Sequence, residues 1–441
     1  MPYIKNDIDI IIHHLNNTYM KKVFLSILTS GLISLTSYAQ TSPAITSWVL
    51  NTNNGTGYNC SGCNPVVHGT ITTDVASVYY TSTDAYVTTS GVPSYNVGPW
   101  ASNPNVPKDQ AKKWKITLNP TVNNNAKTAT GLGSIGIWSN GVGIYNPKDG
   151  FYWDDVNKKF ASPGAGTWNR NAYVFEAVSF DACLGHADAK GSYHNHVNPK
   201  CLYDATASSV HSPIIGYAAD GFPIYGAYAY TNSNGTGAIK RMTSSYVLTT
   251  ATTRTNGPTM AQYAAGSFCE DYVYTQGAGD LDQYNGRICN TPEYPNGTYA
   301  YFVTIDGAGT PQYPFVVGPS YYGVVPAGTT TASATIPGSA TLYVPAVTAI
   351  EEVIIANSRI EVFPNPALDE VIKFKIASNI SDLTVKVIDY QGRVLINKLF
   401  IANTYSLVNS IEVPFLNAGI YWVSFEYNGK KEVRKIQLNG E

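Results

Sequence analysis

Charge is what this chain has least of. Only 13% of its 441 residues are Asp, Glu, Lys or Arg, about half the ~25% usual in soluble domains. The 28 basic and 30 acidic residues leave a formal net charge of -2 and form no basic block, so there is no field to draw in nucleic acid. Past an N-terminal apolar stretch, no run approaches the ~20 residues of a membrane-crossing helix, and no transmembrane segment is expected in the mature chain. The chain has no Gly-x-Ser-x-Gly, no His-Glu-x-x-His and no Gly-rich phosphate loop after a strand. Those absences exclude the common nucleophile elbow, the usual zinc protease and the standard phosphate cradle. No amphipathic helix longer than about three turns can be read either.

What the chain does have is 33 Tyr, 38 Gly and 25 Pro, a mix that suits strands and tight turns in an extracellular protein. Met20-Lys-Lys, the apolar run from Val23 to Leu35 and the small residues Ser37 and Ala39 have the order of an export signal. Residues 1–39 are therefore read as an N-terminal extension and signal peptide, with Met20 the expected start. All six cysteines lie after it: Cys60, Cys63, Cys183, Cys201, Cys269 and Cys289. An even count in an exported chain suggests up to three disulfides. Cys183 with Cys201 would clamp the intervening loop, and Cys269 with Cys289 is the natural second pair. Cys60 and Cys63 form a local disulfide or, with His68, half of a metal site.

Residues 40–345 read as one β-rich domain with short helices, 346–357 as a linker, and 358–441 as a separate small β-sandwich. Strand-like alternation appears at 85–89, 113–118, 172–178 and 299–305, and Asn140-Gly141, Asp220-Gly221, Asn285-Gly286 and Asn296-Gly297 mark turns. Beyond 358 the composition changes: 10 Lys/Arg and 9 Asp/Glu, with no Cys and no His, over seven short alternating segments. The fold class expected is mainly β, a disulfide-braced domain followed by a C-terminal sandwich.

Four of the seven histidines, His186, His194, His196 and His211, fall between Asp181 and His211. His194 and His196 are two apart, so on a strand both rings share a face. Two imidazoles on one face are what a transition metal needs. The expected ligands are His194 and His196, with His211 and His186 next. Zinc or copper suits imidazole with carboxylate; calcium fits less well, because the Asp280-Leu-Asp282 run has the wrong spacing and no closing Glu. His186 and Asp188 are the candidate proton carriers if the metal activates water, in a hydrolase or a redox protein. Asp220, before Gly221, reads as a turn residue. Glu270, Glu293 and Arg287 are further polar candidates, Arg287 for an anionic substrate. The rival reading is a non-enzymatic surface module or adhesin that binds a glycan or protein through its aromatic residues, its histidines being structural. In either case the ligand is an extracellular small molecule or glycan that the residues do not name.

Two stretches resemble known families. Val362-Phe-Pro-Asn-Pro366, Asp389-Tyr-Gln-Gly392-Arg-Val, Leu416-Asn-Ala-Gly419-Ile-Tyr-Trp-Val and Lys430-Lys-Glu-Val-Arg-Lys435 resemble the type A sorting domain of the type IX secretion system of Bacteroidota. That resemblance implies that the secretion machinery handles residues 358–441, and that the protein is secreted or held on the outer surface of a Gram-negative cell. Ala182-Cys-Leu-Gly-His186-Ala-Asp188, Gly191-Ser-Tyr193-His194-Asn195-His196, His211 through Gly226 and Leu281 through Arg287 resemble the YHYH domain family. The second Tyr of that family's name is Asn195 here, while both histidines are kept. The resemblance implies a fold unit and a candidate site, but no reaction.

Overall fold

The computed structural model describes residues 42–345 and 360–438, apart from short segments within each. The signal-like segment, Cys60, Cys63, His68 and the linker lie outside the described residues. The chain divides into two compact units, 1–342 and 343–441. Both are mainly β, as expected, and the described helices are single turns.

Among its described residues the second unit has seven strands in two sheets, one of three and one of four. Every second residue of Leu383–Ile388 is buried, so Leu383, Val385 and Val387 meet Phe374, Phe425 and Ile436 between the sheets. This alternation is what a sandwich strand with one wet face requires.

In the first unit β1 (Val75–Tyr80), β2 (Asp84–Thr89) and β3 (Lys112–Thr117) form an antiparallel sheet, with Thr341–Leu342 added at its edge. The rest is built on one eight-stranded sheet and the hairpins beside it. In chain order these include β4 (Ser134–Trp138), β5 (Gly143–Tyr145), β6 (Lys148–Asp154), β7 (Lys159–Ala161), β8 (Asn169–Asn171), β9 (His186–Ala187), β10 (Tyr193–Asn195), β11 (Ile214–Ala218), β12 (Pro223–Tyr225), β13 (Tyr228–Tyr230), β14 (Ile239–Arg241), β15 (Gly286–Cys289) and β16 (Thr298–Phe302). The large sheet runs β9-β10-β5-β4-β11-β12-β16-β15.

That order reads the same from either edge, and so does its pairing. β4 and β11 meet antiparallel at the centre, Ile137 opposite Tyr217. Each is half of an antiparallel hairpin, β4 with β5 and β11 with β12. Beyond each hairpin comes a parallel neighbour, β10 beside β5 and β16 beside β12, and then an antiparallel edge strand. The two halves share their irregularities: a bulge falls between Ser134 and Gly136 in one and between Ile214 and Gly216 in the other. Each hairpin turns inside a bonded pair, Trp138 with Val142 and Ala218 with Phe222, through three residues of which the last is a left-handed glycine, Gly141 at φ 84° and Gly221 at φ 86°. Both halves also anchor the turn before the edge strand with a carboxylate. Asp181 accepts N–H bonds from Cys183 and Gly185 and the Tyr193 hydroxyl; Asp282 accepts from Tyr284, Gly286 and the Tyr299 hydroxyl. The sheet is an internal duplication about a pseudo-two-fold axis between β4 and β11.

Gly136 and Gly216 stand at the crossing, where a Cβ on either would press into the other strand's backbone. Trp138, Tyr193, Tyr217, Tyr225, Tyr301 and Tyr321 are fully buried, so much of the abundant tyrosine is core. Asp220, buried beside Gly221, accepts bonds from the Tyr301 hydroxyl and the Gly323 N–H. It is the turn residue expected, and it also ties the far strand to the sheet.

Candidate metal centre

The β9–β10 hairpin builds the site. His186 and His194 are opposed across it, and Ala187 opposes Tyr193. His196 follows β10 on the same face as His194, as the two-residue spacing predicted. β10 lies parallel to β5, with His194 opposite Gly143. The Tyr145 ring, two residues on along β5, stacks on His194 with 3.8 Å between centroids. The turn that aims His186 is locked three ways. Leu184 adopts φ 61°, the Asp181 carboxylate holds the following N–H groups, and a Cys183–Cys201 disulfide ties the loop down. The Asn195 amide donates to the Cys183 and Leu184 carbonyls. The residue in place of the second motif Tyr thus braces the loop from the opposite face.

The hydrogen bonds of the three rings fix their tautomers. His194 Nδ1 is 3.0 Å from the Ser192 carbonyl and His196 Nδ1 is 2.6 Å from the Asn146 carbonyl. A carbonyl only accepts, so both Nδ1 atoms carry hydrogen. Ser179 Oγ donates its one hydrogen to the Glu176 carbonyl, 2.7 Å away, and so accepts from His186 Nδ1 at 2.8 Å. All three Nε2 atoms are therefore left as lone pairs, and they converge. The three ligand atoms lie within 4.8 Å of one another, and the Nε2 atoms of His186 and His194 are 3.0 Å apart. Two acceptor nitrogens at that distance repel unless a cation lies between them.

A fourth donor completes the set. Glu176 Oε2 is 3.2 Å from His196 Nε2 and 3.7 Å from His186 Nε2, and it is buried with no hydrogen-bond partner. Ligand atoms on one tetrahedral zinc stand about 3.3 Å apart, so these spacings suit a common ion. Glu176 ends a one-turn helix, Ala172–Phe175, that starts from the Asn171 cap. The sequence reading missed it, because nothing in the local pattern joins a carboxylate ten residues upstream to the hairpin.

Burial is the main electrostatic force here. It pushes His186 down to about 4, aided by the charge of His196, and His194 well below the ordinary histidine range. Neutral imidazole is the ligand form. For Glu176 burial acts upward, but in the metal-free site His196 and His186, when they carry a proton on Nε2, and the charge of Arg170 hold it below its usual value. The site opens on a cavity of about 400 Å³ that Tyr145, Lys148, Asp149 and Asp188 also line.

Other expectations fare differently. His211 does not join the cluster. Its ring lies against Tyr225, Tyr230 and Phe302 and its Nδ1 bonds the Ser212 carbonyl, because it belongs to the other half of the duplicated sheet. Asp188 reaches the cavity, but its carboxylate accepts the Lys190 and Ser192 N–H groups, closing the turn between β9 and β10. Cys269 and Cys289 are both free and buried, not paired. Cys289 ends edge strand β15, whereas Cys269 sits in a turn against the Arg170 carbonyl. Glu270 is held by Asn169, Glu293 by the Tyr225 hydroxyl, and Arg287 bonds the Tyr230 carbonyl. Asp282, the residue weighed for calcium, is the turn anchor already described.

Comparison with known proteins agrees with both resemblances. Residues 113–314 match the family described as YHYH protein, and residues 361–439 match the secretion system C-terminal sorting domain. No curated protein matches. Among solved structures the chain is similar to a DUF3244 family protein with an immunoglobulin-like β-sandwich fold from Bacteroides vulgatus. That likeness has 20% identity and a TM-score of 0.16, over 19% of this chain and 86% of that one. The chain thus carries a YHYH domain followed by a type IX sorting domain, and the latter marks it for the outer surface of a Bacteroidota-type cell.

Proposed function

We propose, from the premise of an exported YHYH domain, that it is a metal-binding domain whose ion is held by His186, His194, His196 and Glu176. The observation that carries this reading is the convergence of three Nε2 lone pairs whose Nδ1–H groups are all committed to oxygen acceptors. Such partners orient metal-bound histidines and raise their basicity. An ordinary core histidine would use both nitrogens. Three imidazoles and one carboxylate suit zinc or copper, and no thiolate stands in the cluster to favour a softer ion. The donors form one wall of the cavity, so an ion held by all four would take a small molecule there as a fifth ligand, on its cavity side. That arrangement supports a hydrolytic or redox centre over a purely structural one.

Elemental analysis of the exported chain, purified without a histidine tag, tests the reading. About one equivalent of zinc or copper is expected, and its loss when His194 and His196 are both changed to Ala. Absence of metal after reconstitution with either ion would overturn the proposal.

A further inference from the structure

The duplicated sheet supplies a control within the chain. Side chains that both halves keep are those the fold needs, and side chains on which they differ are free of that demand. Asp181 and Asp282 keep the same bonds, and Tyr145 and Tyr225 end equivalent strands. Apart from Tyr145, the cavity residues that can be matched differ between the halves. By pairing register, His186 corresponds to Arg287, His194 to Ala300 and His196 to Phe302. The correspondence extends past the sheet. Lys148 pairs with Asn171 as Tyr228 pairs with Arg241, and Ala172 bonds the Pro147 carbonyl as Met242 bonds the Ala227 carbonyl. Lys148 thus corresponds to Tyr228 and Asp149 to Ala229. A lysine at this position is not required by the fold.

Lys148 lines the cavity, is half-buried, and pairs with no carboxylate among the described residues. Glu270, which feels its charge, is already held by the N–H and amide of Asn169. The other charges around the cavity are matched. Asp149 pairs with Arg170 at 2.6 Å, and Asp188 faces the charge of Lys112. A divalent ion carrying a single carboxylate ligand stays positive, and Lys148 adds to that charge. The cavity is therefore cationic once loaded and has room for a small acid.

Building on the metal reading, we infer that the ion's cavity side takes an oxyanion, a carboxylate or a phosphate, as a fifth ligand, with one oxygen on the metal and another on the Lys148 ammonium. Leu132, 44% exposed at the cavity's edge, gives the rest of such a molecule an apolar neighbour.

The test is titration of the cobalt(II)-loaded full chain with acetate and, separately, with inorganic phosphate, followed by visible absorption. A saturable spectral change with at least one anion is expected, and which one responds names the source. Lys148→Met should weaken that anion about tenfold, the loss of one charged hydrogen bond, and Lys148→Arg should restore most of it, with cobalt stoichiometry unchanged. Lys148→Gln repeats the measurement should the Met variant fail to fold. No response to either anion, or wild-type affinity in both the Met and Gln variants, overturns the inference while leaving the metal centre intact. A wild-type chain that binds no cobalt overturns both.

Discussion

Changing Glu176 to Gln should remove most of the thermal stabilisation that zinc confers, with the fold kept. The substitution preserves shape and deletes the carboxylate charge at a point 3.2 Å from His196 Nε2 and 3.7 Å from His186 Nε2. A ligand that binds only the folded form, at a hundred times its Kd, adds about 2.7 kcal/mol. For a unit of this size each kcal/mol moves Tm by about 2–4 °C, so zinc should raise the wild-type Tm by about 5–10 °C. Loss of a supporting group alone costs a metal site about 10–100-fold in affinity, and a direct ligand belongs at or above the top of that range. At the same zinc concentration the variant then sits near its own Kd, where the gain is only about 0.4 kcal/mol, or roughly 1 °C. Scanning calorimetry with zinc and with a chelator reads both shifts, and His211→Gln is the control, expected to keep the wild-type shift. A full shift in Glu176→Gln, or loss of the shift in His211→Gln, would refute the assignment of ligands.

Three further outcomes follow from the same structure. His186 titrates at about 4 in the fold against 6.5 when free, so between those values the unfolded chain holds more protons. Through His186 alone the metal-free protein should lose about 3 kcal/mol between pH ~6.5 and pH ~4, with His194, held lower still, adding to the fall; denaturant titrations across that range should show a shallower slope in His186→Leu, and an unchanged slope would count against a buried neutral ring. Replacing Cys183 and Cys201 by Ala opens a loop of 18 residues and should cost about 3 kcal/mol, with metal affinity falling as the His186 turn loosens; equal affinity would show that the disulfide does not position the hairpin. Asp181→Asn and Asp282→Asn should destabilise by similar amounts, about 1–3 kcal/mol each, but only Asp181→Asn should weaken metal binding. Unequal stability costs would argue against equivalent halves.

Some of this could be read along the chain. His194 and His196 share a face because side chains alternate on a strand, a rule that needs only two residues' separation. The turns at Asn140-Gly141 and Asp220-Gly221 followed from the need for a left-handed glycine. The duplication was also present in the sequence but unread: Ile135-Gly136 through Tyr145 and Ile215-Gly216 through Tyr225 have the same spacing of Gly, Asn-Gly or Asp-Gly, Ile and Tyr. Seeing it would have assigned His211 to the second half.

The residues alone determined the β-rich class and pointed to the Cys183–Cys201 clamp and to three of the four proposed ligands, His194, His196 and His186, through local periodicity, composition and short spacing; the sorting tail was legible through its resemblance to a known family. The tertiary structure decided the rest. It brought His186 across a hairpin to His194, carried Glu176 in from a separate helical turn, sent His211 to the other side of the pseudo-axis and left Cys269 and Cys289 unpaired. The physical reason is that alternation states which face a side chain takes, not which strand lies beside it. Strand order and register are set by burial of the whole sheet, with Gly136 and Gly216 allowing its two halves to meet.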